Sequence, residues 1–315
     1  MINDLSILTS PKSGLPFEKT GGGSICFANG ENYPIHSGIP VLINEEDSLF
    51  TIKDILSDTP TTQLAEYNNA KNWKNFMRRK LLPALSNDKG MIDRYKALAA
   101  KLHGEKVLIL GTGKKVLFYK SIFSNCEVIT SDVHSQFNPD IVFDAHSIPF
   151  KDDTFGLVLA GQVLEHCMRP WIVANEMQRV VKLNGLIHIE VPFNFPYHAA
   201  PYDFFRFTFT GLRSLFVMSK VDDYFVTEGN ASTAGTFNAN MLINFFKRPV
   251  LRSTALAAGR ILFGWLKYLD RGGNKNQLTL NKLAMPKGIG MTFIFDAKKR
   301  TDADLLAEYF EVKNK

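Results

Sequence analysis

The run KVLILGTG at residues 106–113, answered by EVITSD at 127–132, decides the fold. Val107 to Leu110 form an unbroken apolar run too short for a helix. That is how a strand buried on both faces reads. It ends on Gly111-Thr112-Gly113, where glycines let the backbone turn sharply and come close to a ligand. The second strand, Glu127–Thr130, ends at Ser131-Asp132, so Asp132 stands nineteen residues after Gly113.

Working outward, the pattern predicts a helix over Lys115–Ser124 and strands at Asp140–Phe143 and Phe155–Ala160. A helix over Arg169–Val181 follows, stopped by Asn184-Gly185, and then a strand at Leu186–Val191. A helix at Gly211–Phe216, a strand at Asp223–Glu228 and a last strand at Met291–Phe295 bring the count to about seven. Apolar strands alternating with amphipathic helices predict an α/β fold. Its sheet is mostly parallel, with helices on both faces.

In such a doubly wound sheet, ligands sit at the carboxyl ends of the strands, near the point where strand order reverses. Gly111, Thr112 and Gly113 fall there. Asp132, with Val133 beside it, ends the second strand, where a carboxylate can accept hydrogen bonds from two ribose hydroxyls. Dinucleotide oxidoreductases and methyltransferases share this opening, and these residues alone leave both open.

Later segments separate the two classes. DAHSIPF at 144–150, DDTFGLV at 152–158, QVLEH at 162–166 and RVVKLNG at 179–185 follow in series. Together they resemble the class I, S-adenosylmethionine-dependent methyltransferases, whose members read D-x-x-x-L-P-F-x-D-x-S-F-D-x-V, then V-L-E-H, then R-V-L-K-P-G-G. The resemblance covers about residues 105–217. It implies a Rossmann-like class I methyltransferase sheet with S-adenosyl-L-methionine as cofactor. Asp144, Ala145 and His146 then lie near the adenine, and Gln162 and Val163 near the sulfonium. Ile109 stands where the family usually carries an acid, Lys114 and Lys115 replace a small residue and a third glycine, and Gly156 replaces an aspartate. The first change removes a partner of the cofactor's ammonium, and the lysines add like charge. A catalytically silent, ligand- or partner-binding relative is therefore the alternative to an active enzyme.

The segment PFNFPYHAAPYDFFRFT at 192–208 resembles the H-x-x-P-x-D-x-x-R-x-T stretch of methyltransferases from bacterial glycan and secondary-metabolite pathways. Transfer to oxygen requires removal of a proton, a task suited to an imidazole. His198 is the candidate base. Asp203 would orient it or bind substrate hydroxyls, and Arg206 would pair with Asp203 or a substrate phosphate. A structural lid held by Asp203 and Arg206 is the competing interpretation. The expected reaction is O-methylation of a sugar, glycan or hydroxylated small molecule. A nucleic-acid methyltransferase is the rival, but no lysine- and arginine-rich stripe interleaved with aromatics appears, and the N-P-P-Y-type tetrapeptide of many amino-group methyltransferases is absent.

Residues 1–50 are rich in Gly and Pro with short apolar runs between them, which predicts a small β unit. YPIHSGIPVLI at 33–43 resembles the ending of a small zinc-ribbon family that includes methyltransferase activator subunits; the likeness covers about residues 6–44. Zinc-binding members carry C-P-x-C and C-x-x-C, which here align with Ser10-Pro11-Lys12-Ser13 and Cys26-Phe27-Ala28-Asn29. One thiolate cannot make a structural zinc site, so no metal is expected. Residues 51–104 read as a helical cover with helices at Thr62–Leu82 and Lys89–Leu102. Residues 105–315 read as the methyltransferase domain, with a helical insertion at about 235–270.

The chain has 315 residues, 45% of them hydrophobic, and a net charge of +6. That suits a solvated cationic surface or an anionic partner. Three scattered cysteines and no basic-then-apolar leader point to the cytoplasm. Thr254–Leu269 is too short and too charged to span a bilayer. Basic and bulky apolar residues at 245–269 suggest peripheral membrane contact or a homo-oligomer.

Overall fold

The computed structural model describes residues 2–57, 82–85, 88–270 and 280–313. The N-terminal unit is an antiparallel meander of β1 (Phe17–Gly21), β2 (Ser24–Phe27), β3 (Asn32–His36) and β4 (Ile39–Pro40). After α1 (Ile52–Leu56) and α2 (Met91–Ala99) the large sheet begins. Its first half runs β5 (Lys106–Leu110), α3 (Val116–Ile122), β6 (Glu127–Asp132), β7 (Ile141–Val142) and β8 (Phe155–Gly161). Its second half runs α4 (Pro170–Val180), β9 (Val181–Pro192), α5 (Phe209–Arg213), β10 (Ser219–Glu228), α6 (Asn230–Asn244), α7 (Pro249–Phe263), α8 (Leu280–Leu283), β11 (Gly288–Phe295) and α9 (Asp302–Lys313).

The seven strands lie in the order β10-β11-β9-β8-β5-β6-β7. Neighbours from β9 to β7 are parallel, and β11 runs antiparallel to both β9 and β10. The sheet is the mostly parallel, helix-covered one that the sequence predicts. β5 is flanked by β6 on one side and β8 on the other, so the order reverses at the glycine loop.

Alternation along the strands supplies both cores. Leu108, Leu110, Val158, Ala160, Ile187 and Ile189 face one cluster, which α4 closes with Val173, Ala174 and Met177. Val107, Ile109, Leu157 and Leu159 face the other, against Tyr95 and Leu98 of α2 and Tyr119 of α3. Each such Leu or Ile contributes about 1.5–3 kcal/mol by leaving water.

Several boundaries differ from the sequence reading. The third strand keeps only Ile141 and Val142, because Asp140 turns back instead: its carboxylate accepts from the Thr130 amide at 3.0 Å and hydroxyl at 2.7 Å. A 3₁₀ turn at Gly113–Lys115 precedes α3, so the helix starts at Val116. β9 begins at Val181, five residues before Leu186. The helix expected at 62–82 lies outside the described residues except for residue 82.

The N-terminal meander docks on the β7 edge. Val41 bridges Val142 in parallel, the Leu42 amide donates to Val142 O at 2.8 Å, and Leu8 bridges Phe150. Ile25, Phe27 and Tyr33 enter the same apolar cluster as Phe143 and Phe150. Ser10, Ser13 and Asn29, at three of the four positions aligned with zinc thiolates, converge instead on Glu31. Both serine hydroxyls donate to Glu31 Oε2, Ser13 at 3.1 Å, and Asn29 donates to Oε1 at 2.6 Å.

Candidate active site

A cleft of about 790 Å³ opens over the carboxyl ends of β5, β6, β8 and β9. Gly111 has φ 62°, the left-handed region that favours glycine, and an added Cβ would meet Val163 Cγ2 at 2.6 Å. The loop can therefore close only over a residue without a side chain. Thr112 and Gly113 are buried behind it. Asp132 is buried at the end of β6, accepting from the Gly113 amide at 2.8 Å (Oδ2) and the His134 amide at 3.1 Å (Oδ1). Burial pushes its carboxyl up to about 6, against the pull of those amides. Each oxygen keeps lone pairs for further donors.

The expected adenine-side residues hold one another. Asp144 Oδ1 accepts from the His146 amide at 3.0 Å and lies 2.6 Å from His146 Nδ1, while Oδ2 accepts from Ser48 Oγ at 2.6 Å. His146 Nε2 accepts from the Arg169 amide at 3.2 Å, which assigns the proton to Nδ1. Asp144, Ala145 and His146 all line the cleft, with both imidazole nitrogens committed. Gln162 also lines the cleft at φ 61°, its backbone N–H donating to Glu190 O at 2.8 Å, and Val163 packs on the glycine loop.

The loop after β9 forms another wall. Arg206 donates through Nε to Phe195 O, through Nη1 to Asp203 Oδ1 and Phe205 O, and through Nη2 to Pro196 O and Asp203 Oδ2, all within 3.0 Å. A guanidinium has five N–H groups, so every donor is used within the loop. Asp203 Oδ2 also accepts from the His198 amide at 2.8 Å and lies 3.2 Å from His198 Nδ1. Burial raises the Asp203 carboxyl, but Arg206 and the His198 amide outweigh it and hold the group below its usual range. Arg206 Nη2 also lies 3.5 Å from His198 Nδ1, but its two hydrogens already go to Pro196 O and Asp203 Oδ2. We therefore assign the imidazole proton to Nδ1, facing Asp203, with Nε2 then uncommitted among the described residues.

Behind the loop, Glu165 is fully buried, and neither carboxyl oxygen has a hydrogen-bond partner among the described residues. Burial raises it to about 8, so it is protonated at neutral pH. His166 Nδ1 contacts Tyr202 O at 2.5 Å, and its ring centroid is 5.0 Å from that of His198. Glu165, His166 and His198 bring one ligand-capable atom each within 4.8 Å of one another.

Sequence reasoning missed a second polar group in the cleft. Glu190, buried on β9, accepts from Arg94 Nη2 at 2.7 Å and Tyr95 OH at 3.2 Å, and Arg94 also binds Asp88. Despite burial, His188 and Arg94 hold the Glu190 carboxyl down to about 2. Glu190 read as one more residue of an apolar strand, and Asp88 and Arg94 as a helical surface. Also missed was the tail of the N-terminal unit: Leu49 and Phe50 line the cleft, and Phe50 stacks on Tyr202 at 5.5 Å.

A methyltransferase-domain family model matches residues 111–189, from the glycine loop into β9. The chain is an S-adenosylmethionine-dependent methyltransferase. A UPF0434 protein of Vesicomyosocius okutanii subsp. Calyptogena okutanii (strain HA) is 45% identical to the methyltransferase over 42 residues, 13% of this chain and 71% of that protein. Over that stretch the chain belongs to the UPF0434 family. Two solved structures are similar at low identity. Coclaurine N-methyltransferase bound to N-methylheliamine and SAH is 13% identical, with 66% of this chain and 72% of that chain covered and a TM-score of 0.43. The [4+2]-cyclase SpnF is also 13% identical, with 76% and 97% covered and a TM-score of 0.45.

The cleft fits S-adenosylmethionine, which supplies a methyl group activated on a sulfonium. Gly111 leaves a cradle that a Cβ would fill, and Asp132 keeps acceptor sites open at the end of β6. Ile109 points into the apolar core, and Glu190 is a further buried acid that lines the cleft. Gly156, where an aspartate was expected, packs under Glu105, whose Cβ stands 2.6 Å from an added Cβ.

Proposed function

We propose that the methyltransferase transfers its methyl group to a hydroxyl of a sugar, glycan or related small molecule, and that His198 takes the hydroxyl proton. The observation that carries this is that Asp203, paired with Arg206, stands 3.2 Å from Nδ1 of the cleft-lining His198; with the proton assigned to Nδ1, Nε2 is the acceptor. Asp203 and Arg206 are positioning residues that act through His198. Gly111, Thr112, Gly113, Asp132 and Val133 would carry the ribose and methionine end of the cofactor. Asp144, Ala145 and His146 would flank its adenine, and Gln162 and Val163 its sulfonium. Much of the acceleration would come from holding sulfonium and hydroxyl in line.

No metal takes part in this account, and nucleic acid is not the acceptor. We divide the chain into the β unit at 1–50, the cover at 51–104 and the catalytic domain from 105. Among the described residues no helix is long and apolar enough to cross a membrane. The free thiols of Cys26, Cys126 and Cys167 suit a reducing compartment, and we assign the chain to the cytoplasm.

His198→Ala tests the reading. At saturating cofactor the rate should fall about 10²–10⁴-fold, the usual contribution of a positioned base, while cofactor affinity stays the same. A chelator should not change the wild-type rate. A fully active variant would remove His198 from the chemistry. Activity lost to a chelator and restored by a divalent ion would reassign Glu165, His166 and His198 to a metal.

A further inference from the structure

From Gly229 to Leu269 the chain carries Lys247, Arg248, Arg252, Arg260 and Lys267 and no Asp or Glu. This stretch folds as the α6–α7 hairpin, joined across a seam of small residues. A Cβ added to Gly259 would meet Ala239 Cβ at 2.9 Å, and one added to Gly235 would meet Phe263 O at 2.8 Å. So close a seam buries Ala239, Ala255 and Gly259 and turns the bulky residues outward.

On α6 and at its C-terminal cap, Phe237, Met241 and Phe245 recur every four residues and are 45%, 51% and 72% exposed. On α7 and just beyond it, Ile261, Leu262 and Trp265 are 60%, 55% and 52% exposed. Lys247, Arg248 and Arg252, at the turn between the helices and the start of α7, are exposed as well. Six exposed bulky apolar side chains on one hairpin mark a docking surface. Its charge selects the occupant. Two copies face to face would juxtapose cations with no acid in the hairpin to answer them, whereas an anionic lipid surface complements them. Trp265 and Tyr268 are the amphipathic rings that settle at a headgroup boundary.

The hairpin springs from the rim of the cleft. Glu228 lines the cleft, and α6 starts two residues later. Asp270, at the far end, accepts from the amides of Gly229 (3.1 Å), Ala231 (2.9 Å) and Ser232 (2.8 Å), which ties the two ends of the hairpin together.

We propose that the outer face of the α6–α7 hairpin docks the protein peripherally on an anionic lipid surface, with its apolar side chains in the headgroup boundary. The proposal does not depend on which hydroxyl is methylated. It is tested by sedimenting the full chain with vesicles of phosphatidylcholine alone and of phosphatidylcholine mixed with phosphatidylglycerol. Binding should require the anionic lipid and weaken with salt. Lys247→Glu with Arg248→Glu should reduce it by about fivefold or more per residue, and Phe245→Ser with Trp265→Ser should reduce it at all salt concentrations. Cofactor affinity, unchanged in all variants, shows that they fold. Equal or absent binding to both vesicle types overturns the proposal. So does a dimer in light scattering that Phe245→Ser with Trp265→Ser disperses, since the face would then belong to a second copy.

Discussion

Asp132 and Glu165 are both buried acids, and their surroundings give them opposite uses. Asp132 is drawn up to about 6 by burial while two amides still hold its oxygens. Ribose hydroxyls donate, so they favour the ionised form. Cofactor affinity measured by calorimetry should therefore increase as pH rises through about 6, and a flat profile would mean that Asp132 does not meet the ribose. Glu165 is fully buried with no hydrogen-bond partner on its carboxyl among the described residues, and burial raises its folded value to about 8, far above an unfolded glutamate. A group raised in this way keeps its proton when folded, so stability falls as pH rises toward and through 8. Between pH 7 and 9 the loss should be on the order of 1 kcal/mol. Glu165→Gln should abolish that slope in denaturant titrations, and an identical slope in the variant would show the carboxyl to be ionised.

At the scale of elements, the strand ends and the loops between them make the site, and they were unequally legible. β5, β6 and β8 could be read because an apolar run closed by Gly111 or Asp132 has few other meanings. The glycine at 111 is demanded twice, by its φ and by Val163. The loop after β9 was legible in its residues but not in its connections. Nothing in the spacing of His198, Asp203 and Arg206 says that all five guanidinium donors are consumed there. Glu190 was hidden for a different reason, since a buried acid inside an apolar strand is explained only by Arg94 and Tyr95, ninety-six and ninety-five residues away. The Asp88–Arg94–Glu190 group places Asp88 and Glu190 on the cleft wall. It suits the cofactor's ammonium in place of the acid that Ile109 displaces. Glu190→Gln should weaken cofactor binding about tenfold, since a hydrogen bond to a charged group is worth about 1.5–3 kcal/mol. Unchanged affinity would leave Glu190 as a purely structural partner of Arg94.

For the whole molecule, the N-terminal unit and the large sheet share one core and one edge. The composition of residues 1–50 announced a separate small unit. It could not announce that Leu42 hydrogen-bonds to Val142, or that Ser48 and Phe50 reach the cleft wall, because those contacts join segments about ninety to one hundred and fifty residues apart. The serines and Asn29 that converge on Glu31 give the meander a hydrogen-bonded centre without thiolates. Elemental analysis should accordingly find no zinc in the N-terminal unit, and a chelator should not shift Tm. About one zinc per chain, lost on Cys26→Ser, would reverse that view.

The central claim is that the cleft between the Gly111 loop and Asp132 holds S-adenosylmethionine even though the chain has Ile109 and two lysines beside that loop. Calorimetric titration with S-adenosylmethionine and S-adenosylhomocysteine tests it most directly, on the wild type, Asp132→Ala and His198→Ala. The account predicts one site per chain in the wild type and in His198→Ala, and binding weakened by at least about tenfold in Asp132→Ala, where charge-assisted bonds of about 1.5–3 kcal/mol each are lost. No binding to the wild type, or an unchanged affinity in Asp132→Ala, would contradict it.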